Sequence, residues 1–197
     1  MKETPAIEIG KSVINAEVLA LTNLKNNINQ SFQVAVDMID KCEGHVIITG
    51  MGKSGHIGKK MAATFASTGT PSFFVHCSES LHGDLGMFQP RDLTIAISHS
   101  GMTEELVRGL TIIKETGLKI ISITSDENSH LAKLSDLVLL TGVEQEADPR
   151  GQAPTSSAIA TLALGDALAI AVSELRGFTR KDFLRLHPGG TLGKDKK

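Results

Sequence analysis

The sequence predicts an α/β fold, a doubly wound three-layer sandwich with a parallel sheet of about five strands. The first sign is a regular alternation of short apolar runs with segments of helical periodicity. The second is that these runs are apolar throughout, which is typical of strands covered on both faces of a parallel sheet. The chain has 197 residues, enough for one substantial core, so we expect a single domain over 1–197.

The predicted elements follow one another in three regions. The segment from about residue 7 to residue 43 carries two helical patterns, and the second stops at Gly44. An α/β core is expected over about 44–176 and a C-terminal tail over about 177–197. The predicted strands are HVIIT (45–49), SFFVH (72–76), LTIAIS (93–98), KIISIT (119–124) and LVLLT (137–141). The helices between and after them are expected over 56–68, 103–116, the short segment NSHLAKLS and about 155–175.

Composition limits the classes of partner. The net charge is −2 and aromatic residues make up 4% of the chain, with no Trp or Tyr, so nucleic-acid binding is not expected. Two cysteines, Cys42 and Cys77, are too few for a disulfide framework and fit a reducing compartment. The N-terminus lacks the apolar core of a signal peptide, and no run approaches the roughly 20 apolar residues that span a bilayer. We therefore expect a cytoplasmic protein without a membrane partner.

The first strand leads into GMGKSG, where Gly50, Gly52 and Gly55 form a G-x-G-x-x-G pattern. Such glycines let the backbone bend tightly and present N–H groups to an anion at the start of the next helix. The pattern also occurs in dinucleotide-binding folds, but the second strand ends in FFVHC, without the acidic residue that holds a ribose. The structural alternative is a plain strand-to-helix turn with a solvated Lys53.

The third strand ends in SHSGMT, a second turn that suits an anion. Ser98, Ser100 and Thr103 place hydroxyls around Gly101 at the start of a helix. Capping of that helix by Ser100 or Thr103 is the alternative explanation. Because both turns lie where strands end, on the edge of the sheet that binds ligands, they favour a compact phosphate monoester.

Titratable residues near the predicted strand ends suggest a reaction. They are His82, Glu105, Glu146, Asp148 and His187, together with Lys53 of the first turn. Glu105 could equally stabilise the helix dipole, and Glu146 could belong to a solvated acidic loop. Proton transfer between adjacent sugar carbons needs a carboxylate base, an acid and a cation, and it needs no metal or redox cofactor. No His/Cys pair in the sequence has the spacing of a zinc site.

Five motifs, taken in order, resemble the D-arabinose 5-phosphate isomerase family, whose fold is the sugar isomerase (SIS) domain. They are GMGKSGHIGKKMAATFASTGTPSFFVH, HGDLGM, AISHSG, APTSS and LHPGGTLG. The resemblance runs from about Ile7 to Lys194. It implies interconversion of D-ribulose 5-phosphate and D-arabinose 5-phosphate through an enediol, with a small sugar phosphate as ligand and no cofactor. It also implies a homotetramer whose sites are completed by neighbouring subunits.

The resemblance assigns roles to residues through these motifs. The catalytic residues that it implies are Lys53, His82, Glu105, Glu146 and His187. The substrate- and phosphate-binding residues are Gly52, Ser54, Ser98, His99, Ser100, Thr103, Ser156 and Ser157, and no metal ligands are expected. Which glutamate is the base, and which histidine assists ring opening, is left open. The alternatives are an isomerase of another phosphosugar and a non-catalytic sugar-phosphate sensor.

The chain departs from the family pattern in three places. Met102 stands where members often carry an acidic residue. The loop with Asp148, Arg150 and Gln152 replaces a more apolar one, which we expect to retune the substrate pocket or its affinity for inhibitory metals. The chain ends at GKDKK, without the pair of cystathionine-β-synthase-type modules of full-length members, so a short form or a truncated chain is expected. Lipopolysaccharide (KDO), capsule and sugar-alcohol metabolism remain alternative settings.

Overall fold

The structure is a computed structural model that describes residues 5–189. Its helices are α1 (Pro5–Asn26), α2 (Gln30–Asp40), α3 (Gly52–Ser67), α4 (Cys77–Ser80), α5 (Glu104–Glu115), α6 (His130–Leu134), α7 (Ser156–Leu175) and α8 (Arg180–Leu186), with a short 3-10 helix over Asp84–Met87. Its strands are β1 (Val46–Gly50), β2 (Ser72–His76), β3 (Leu93–Ile97), β4 (Lys119–Thr124) and β5 (Leu137–Leu140). The predicted strands agree with these to within one residue, and the last part of the predicted tail, 190–197, lies outside the described residues.

The strands form one parallel sheet in the order β2-β1-β3-β4-β5. The predicted α/β sandwich with five parallel strands is confirmed. The order reverses at β1, because the chain moves to β2 on one side and then to β3 on the other. Gly50 at the end of β1 pairs with Ile97 at the end of β3. Sheets of this kind bind ligands beyond the carboxyl ends of their strands at such a reversal, and we call this side the carboxyl edge and the opposite side the amino edge.

Helices cover both faces of the sheet. On one face α1, α2, α3 and α7 surround a buried cluster that includes Ile48, Phe65 and Leu168. On the other face α5, α6 and the segment after β2 surround a second cluster around Leu106 and Ile120. β1 and β3 are buried along their whole length, which explains their uninterrupted apolar sequence. Burial of each large apolar side chain contributes about 1.5–3 kcal/mol.

Helix α3 begins four residues earlier than predicted, at Gly52 instead of His56. The N–H of Gly55 already donates to the carbonyl of Met51 (3.1 Å), so the glycine turn is itself the first turn of the helix. Close packing explains the glycines: a Cβ at Gly55 would lie 3.2 Å from the Gly50 oxygen, and one at Gly58 would lie 2.9 Å from the Phe74 ring. Lys53 therefore lies on a helix and not in a loop.

Helix α7 corrects the expectation that no segment is long and apolar enough to cross a membrane. It has 20 residues with a mean hydropathy of 1.7, and by length and composition it meets that test among residues 5–189. A helix buried against the sheet in the core of a protein meets the same test of length and composition. α7 packs against α1, α2 and α3, and Ala160, Leu164, Leu168 and Val172 of its inner face are buried.

Candidate active site

Three long helices begin at the carboxyl edge of the sheet: α3 after β1, α5 after β3 and α7 after the loop that follows β5. α3 and α7 are in contact and run in the same direction. In the middle of the pair, Lys60 contacts Asp166, and Met61 packs against Gly165. Beyond their C-terminal ends, the Arg176 guanidinium donates to the Thr70 hydroxyl (3.0 Å). The N-termini of α3 and α7 therefore lie side by side.

The N-terminus of α3 is open to a ligand. Its N-cap, Met51, is extended and gives no side-chain cap. Helical hydrogen bonding starts at the N–H of Gly55, so the N–H groups of the first turn have no intrahelical acceptor. Gly52 has a positive φ of 56°, a conformation that glycine adopts without strain. In this turn Lys53 is exposed and Ser54 is half-buried.

The SHSGMT turn brings hydroxyls to the N-terminus of α5. The buried Ser98 hydroxyl accepts from the N–H of Gly101 (3.1 Å) and lies 3.0 Å from the Thr103 hydroxyl. The Ser100 hydroxyl accepts from the N–H of Met102 (3.3 Å). Thr103 is the N-cap residue, yet its side chain does not cap α5. The capping explanation is therefore wrong for these hydroxyls within the described chain, and the α5 terminus is as open as that of α3.

The loop after β4 fixes the SHSGMT turn, a role that sequence reasoning missed. The carbonyl of His99 accepts from the Thr124 hydroxyl (3.0 Å), the Ser125 N–H (2.9 Å) and the Ser125 hydroxyl (2.8 Å). Gly101 has a φ of 63°, and a Cβ there would lie 2.1 Å from the Ser129 Oγ. The available signal was the polar segment TSDENS, which directly ends the next strand. His99 contributes its backbone, and its ring Nδ1 is buried without a partner among residues 5–189.

Glu105 lies in the first turn of α5 and is exposed. It is near Cys77, the first residue after β2: burial raises the pKa of the Cys77 thiol, and the charge of Glu105 raises it further. The carboxylate is thus near the end of β2 as well as that of β3, and β1, the strand that leads to Lys53, lies between those two strands. Glu105 and Lys53 therefore share the point where the strand order reverses.

Glu146 caps the N-terminus of α7. Its Oε2 accepts from the N–H groups of Thr155 (2.8 Å) and Ser157 (3.1 Å) and from the Thr155 hydroxyl (3.1 Å), while Oε1 accepts from the Ser157 hydroxyl. Partial burial alone would raise the pKa of Glu146, but the hydrogen bonds from Ser157 and Thr155 together outweigh it and lower that pKa. The hydroxyl of Ser156 is buried and has no partner within the described chain.

The two predicted histidines occupy different places. His82 is exposed in the turn after α4, a helix that packs on α5. His187 follows α8, stacks on the Phe183 ring (3.9 Å between centroids) and hydrogen-bonds the Phe183 carbonyl through Nδ1 (2.8 Å). A cleft of about 370 Å³ separates α8 from the C-terminal end of α3, with Ala66 and Leu186 among its lining residues. The 16 residues of α3 span about 24 Å, so His187 of this chain is not brought together with Lys53.

The carboxyl edge therefore assembles most of the predicted site. It groups Lys53 and Ser54 of α3, the SHSGMT turn, Glu105 and the Glu146–Ser157 pair. Open helix N-termini and hydroxyls suit a phosphate dianion. An exposed ammonium and an exposed carboxylate beside them suit proton transfer on the carbons of the same ligand. In residues 5–189 no group of three or more His, Cys, Asp or Glu side chains is arranged to hold a metal ion.

Comparison with known proteins places this chain in a family. The model of the SIS domain matches residues 38–171. The arabinose 5-phosphate isomerase KdsD of Escherichia coli (strain K12) is 51% identical over 187 residues, which is 95% of this chain and 57% of that protein. KdsD of Yersinia pestis is 49% identical over the same share of both chains. The chain therefore spans somewhat more than half the length of these relatives.

Solved structures agree with the sequence comparison. The structure of E. coli CFT073 c3406 in complex with A5P matches with a TM-score of 0.92 at 44% identity, covering 95% of this chain and 100% of that one. A structure from Bacteroides fragilis NCTC 9343 matches with a TM-score of 0.89 at 36% identity, covering 94% and 98%. The chain belongs to the SIS domain family. The resemblance to arabinose 5-phosphate isomerases predicted from the five motifs is confirmed.

Proposed function

We propose that this chain is an aldose–ketose isomerase that interconverts D-arabinose 5-phosphate and D-ribulose 5-phosphate. The observation that carries the proposal is a pair of helix N-termini at adjacent strand ends, those of α3 and α5, which no side chain of residues 5–189 caps. Lys53 and Glu105 lie in the first turns of these helices. Support comes from the relatives, which are named arabinose 5-phosphate isomerases, and from the A5P bound in the E. coli CFT073 structure.

The phosphate group of the substrate binds between the two open termini. Each helix N-terminus carries a partial positive charge of about half a unit, so two of them offset much of a phosphate dianion. The hydroxyls of Ser98 and Thr103, 3.0 Å apart, supply donors on the α5 side, and Ser54 supplies one on the α3 side. The sugar then extends toward Lys53, Glu105 and the first turn of α7.

The reaction is a proton transfer between C2 and C1 of the open-chain sugar. One of the two glutamates removes the proton next to the carbonyl, and the ammonium of Lys53 stabilises the negative charge of the enediolate. A positioned general base contributes about 10²–10⁴-fold to the rate of such a step. A histidine assists ring opening or protonates the carbonyl oxygen, with His187 preferred over His82. No cofactor takes part.

The oligomer is a homotetramer in which neighbouring subunits complete each site. His187 lies about the length of α3 away from Lys53 of its own chain, so a neighbouring subunit supplies it. Helix α1 offers an interface, because five of its large apolar side chains are 49–61% exposed: Ile7, Ile9, Ile14, Val18 and Leu19. We place the enzyme in the cytoplasm, where the free thiols of Cys42 and Cys77 are kept reduced.

The test is an assay of the purified protein with D-arabinose 5-phosphate, in which ketose formation is followed. We expect turnover, with hexose and heptose phosphates converted more slowly in the same assay. A folded oligomer that forms no ketose contradicts the proposal. Shared sites are tested by mixing two inactive variants, Lys53→Ala and His187→Ala: activity returns on subunit exchange if sites are shared and stays absent if each site uses residues of one chain.

A further inference from the structure

The two candidate bases, Glu105 and Glu146, have different surroundings. Both oxygens of Glu146 accept hydrogen bonds from α7: Oε2 from the N–H groups of Thr155 and Ser157, and Oε1 from the Ser157 hydroxyl. A base that takes a proton from carbon must turn an oxygen toward the substrate. For Glu146 to do so, it would have to leave the helix terminus that it caps.

Glu105 is in the opposite situation. It is exposed, and within the described chain no backbone or side-chain group hydrogen-bonds to its carboxylate. It lies one turn from the Ser98–Thr103 hydroxyl pair that marks the proposed phosphate position. A carboxylate in this place can approach a carbon of a ligand whose phosphate is held at the same helix.

We infer that Glu146 is a positioning residue that fastens the first turn of α7 and the loop 147–154, and that Glu105 is the base. This inference rests on the proposed isomerase function. The Glu105 carboxylate takes the proton from C2 of the open-chain aldose, and the electron pair of that C–H bond becomes the C1–C2 double bond of the enediol. O1 gains a proton, O2 then loses one, and return of the proton to C1 gives the ketose. The step uses no oxidant and no co-reactant.

The loop explains why a positioning role matters. The Thr155 hydroxyl donates to Glu146 and accepts from the N–H of Ala147 (2.8 Å), so the loop is closed where it begins and where it ends. Within it, the Asp148 carboxylate accepts from the N–H groups of Gln152 and Ala153 (3.1 Å each). The closed loop stands at the N-terminus of α7, beside that of α3. Glu146 thus controls the shape of one wall of the site without touching the reacting carbons.

The experiment compares Glu146→Gln, Glu146→Ala and Glu105→Gln in the full chain. Glutamine keeps an acceptor for the N–H groups of Thr155 and Ser157, so we expect Glu146→Gln to raise KM while kcat falls less than about tenfold, whereas Glu105→Gln lowers kcat about 100-fold or more. Glu146→Ala should weaken substrate binding further, and Gln at this position should rescue it. Incorporation of solvent deuterium at the sugar carbons should persist in Glu146→Gln and vanish in Glu105→Gln.

The opposite pattern overturns the inference: loss of kcat and of deuterium incorporation in Glu146→Gln, with Glu105→Gln nearly intact. The proposed function can fail separately. If the wild-type protein forms no ketose, amide hydrogen exchange of residues 147–157 still tests the positioning role. Faster exchange there in Glu146→Ala, and less so in Glu146→Gln, supports it, and unchanged exchange contradicts it.

Discussion

The N-termini of α3, α5 and α7 lie at the same edge of the sheet, but their backbone N–H groups differ in whether the chain supplies an acceptor. At α7 the protein supplies its own anion, because the Glu146 carboxylate takes the N–H groups of Thr155 and Ser157. At α3 and α5 no side chain among residues 5–189 caps the helix, although α2, α6 and α8 carry side-chain caps at Asn29, Ser129 and Thr179. An uncapped terminus leaves N–H groups unpaired. This difference is the basis of our proposal that the two open termini bind a ligand, while the closed one shapes the wall beside it.

The largest expected effect comes from Lys53 at the open α3 terminus. We expect Lys53→Ala to lower kcat/KM by about 100-fold or more, equivalent to about 2.7 kcal/mol, because the charge that meets the enediolate is lost. The melting temperature should not change, since Lys53 is exposed. Lys59→Ala is the matched control on the same helix: its ammonium lies 5.6 Å from the Phe74 ring centroid, and activity should be kept. Equal losses in both variants would contradict an open ligand site at this terminus.

The next effect concerns the turn that holds the α5 terminus. Gly101→Ala should destabilise the protein by about 2 kcal/mol or more and weaken phosphate binding, because a Cβ at this positive φ strains the backbone and clashes with the Ser129 side chain. Gly117→Ala is the control, since its φ of 83° is strained but a Cβ there has open space. It should cost only roughly 1–2 kcal/mol. Denaturant unfolding of both variants measures the difference, and equal values would show that Ser129 does not fix the turn.

The closed α7 terminus predicts a smaller effect that depends on pH. The pKa of Glu146 is lower in the folded chain than its ordinary value of 4.5, so its stabilisation is present above that value and is lost as the pH falls through the folded pKa. At pH 7 we expect Glu146→Gln to be less stable than the wild type by about 1 kcal/mol. The unfolding free energies of the wild type and of Glu146→Gln should converge as the pH is lowered. A gap that persists in acid would mean that the charge of Glu146 does not act at α7.

The smallest expected effect is at the tip of the loop. Arg150 approaches Asp148 (3.5 Å) with a side chain that is 80% exposed. Exposed ion pairs of this kind contribute about 0.2–1 kcal/mol. Arg150→Ala should therefore lower the unfolding free energy by less than about 1 kcal/mol. The loop is held by its backbone bonds to Asp148 instead. Asp148→Ala should therefore lower the unfolding free energy more than Arg150→Ala does, and denaturant unfolding of both variants measures the difference.

The fold was predictable because each strand is an apolar run bounded by turn residues. The positions of β1–β5 follow from local composition, and the two turns that we propose to bind phosphate follow from glycines and hydroxyls at strand ends. The early start of α3 was not predictable, since glycine discourages a helix unless close packing demands it, as it does between Gly58 and Phe74. The cap by Glu146 depends on a contact nine residues away, to Thr155, that no periodicity encodes. The distance of His187 from Lys53 depends on where α8 docks, which is a tertiary property.

The end of the sheet opposite the candidate site has its own consequence for motion. One guanidinium, Arg176, binds the Asp40 carboxylate (2.9 Å), the carbonyls of Ile39 and Asp40 (2.9 Å each) and the Thr70 hydroxyl (3.0 Å). It thereby ties the ends of α2 and α7 to the turn before β2. Because these elements are fastened there, we expect opening motions to be confined to the loops of the carboxyl edge, and we expect Arg176→Ala to free the opposite end as well.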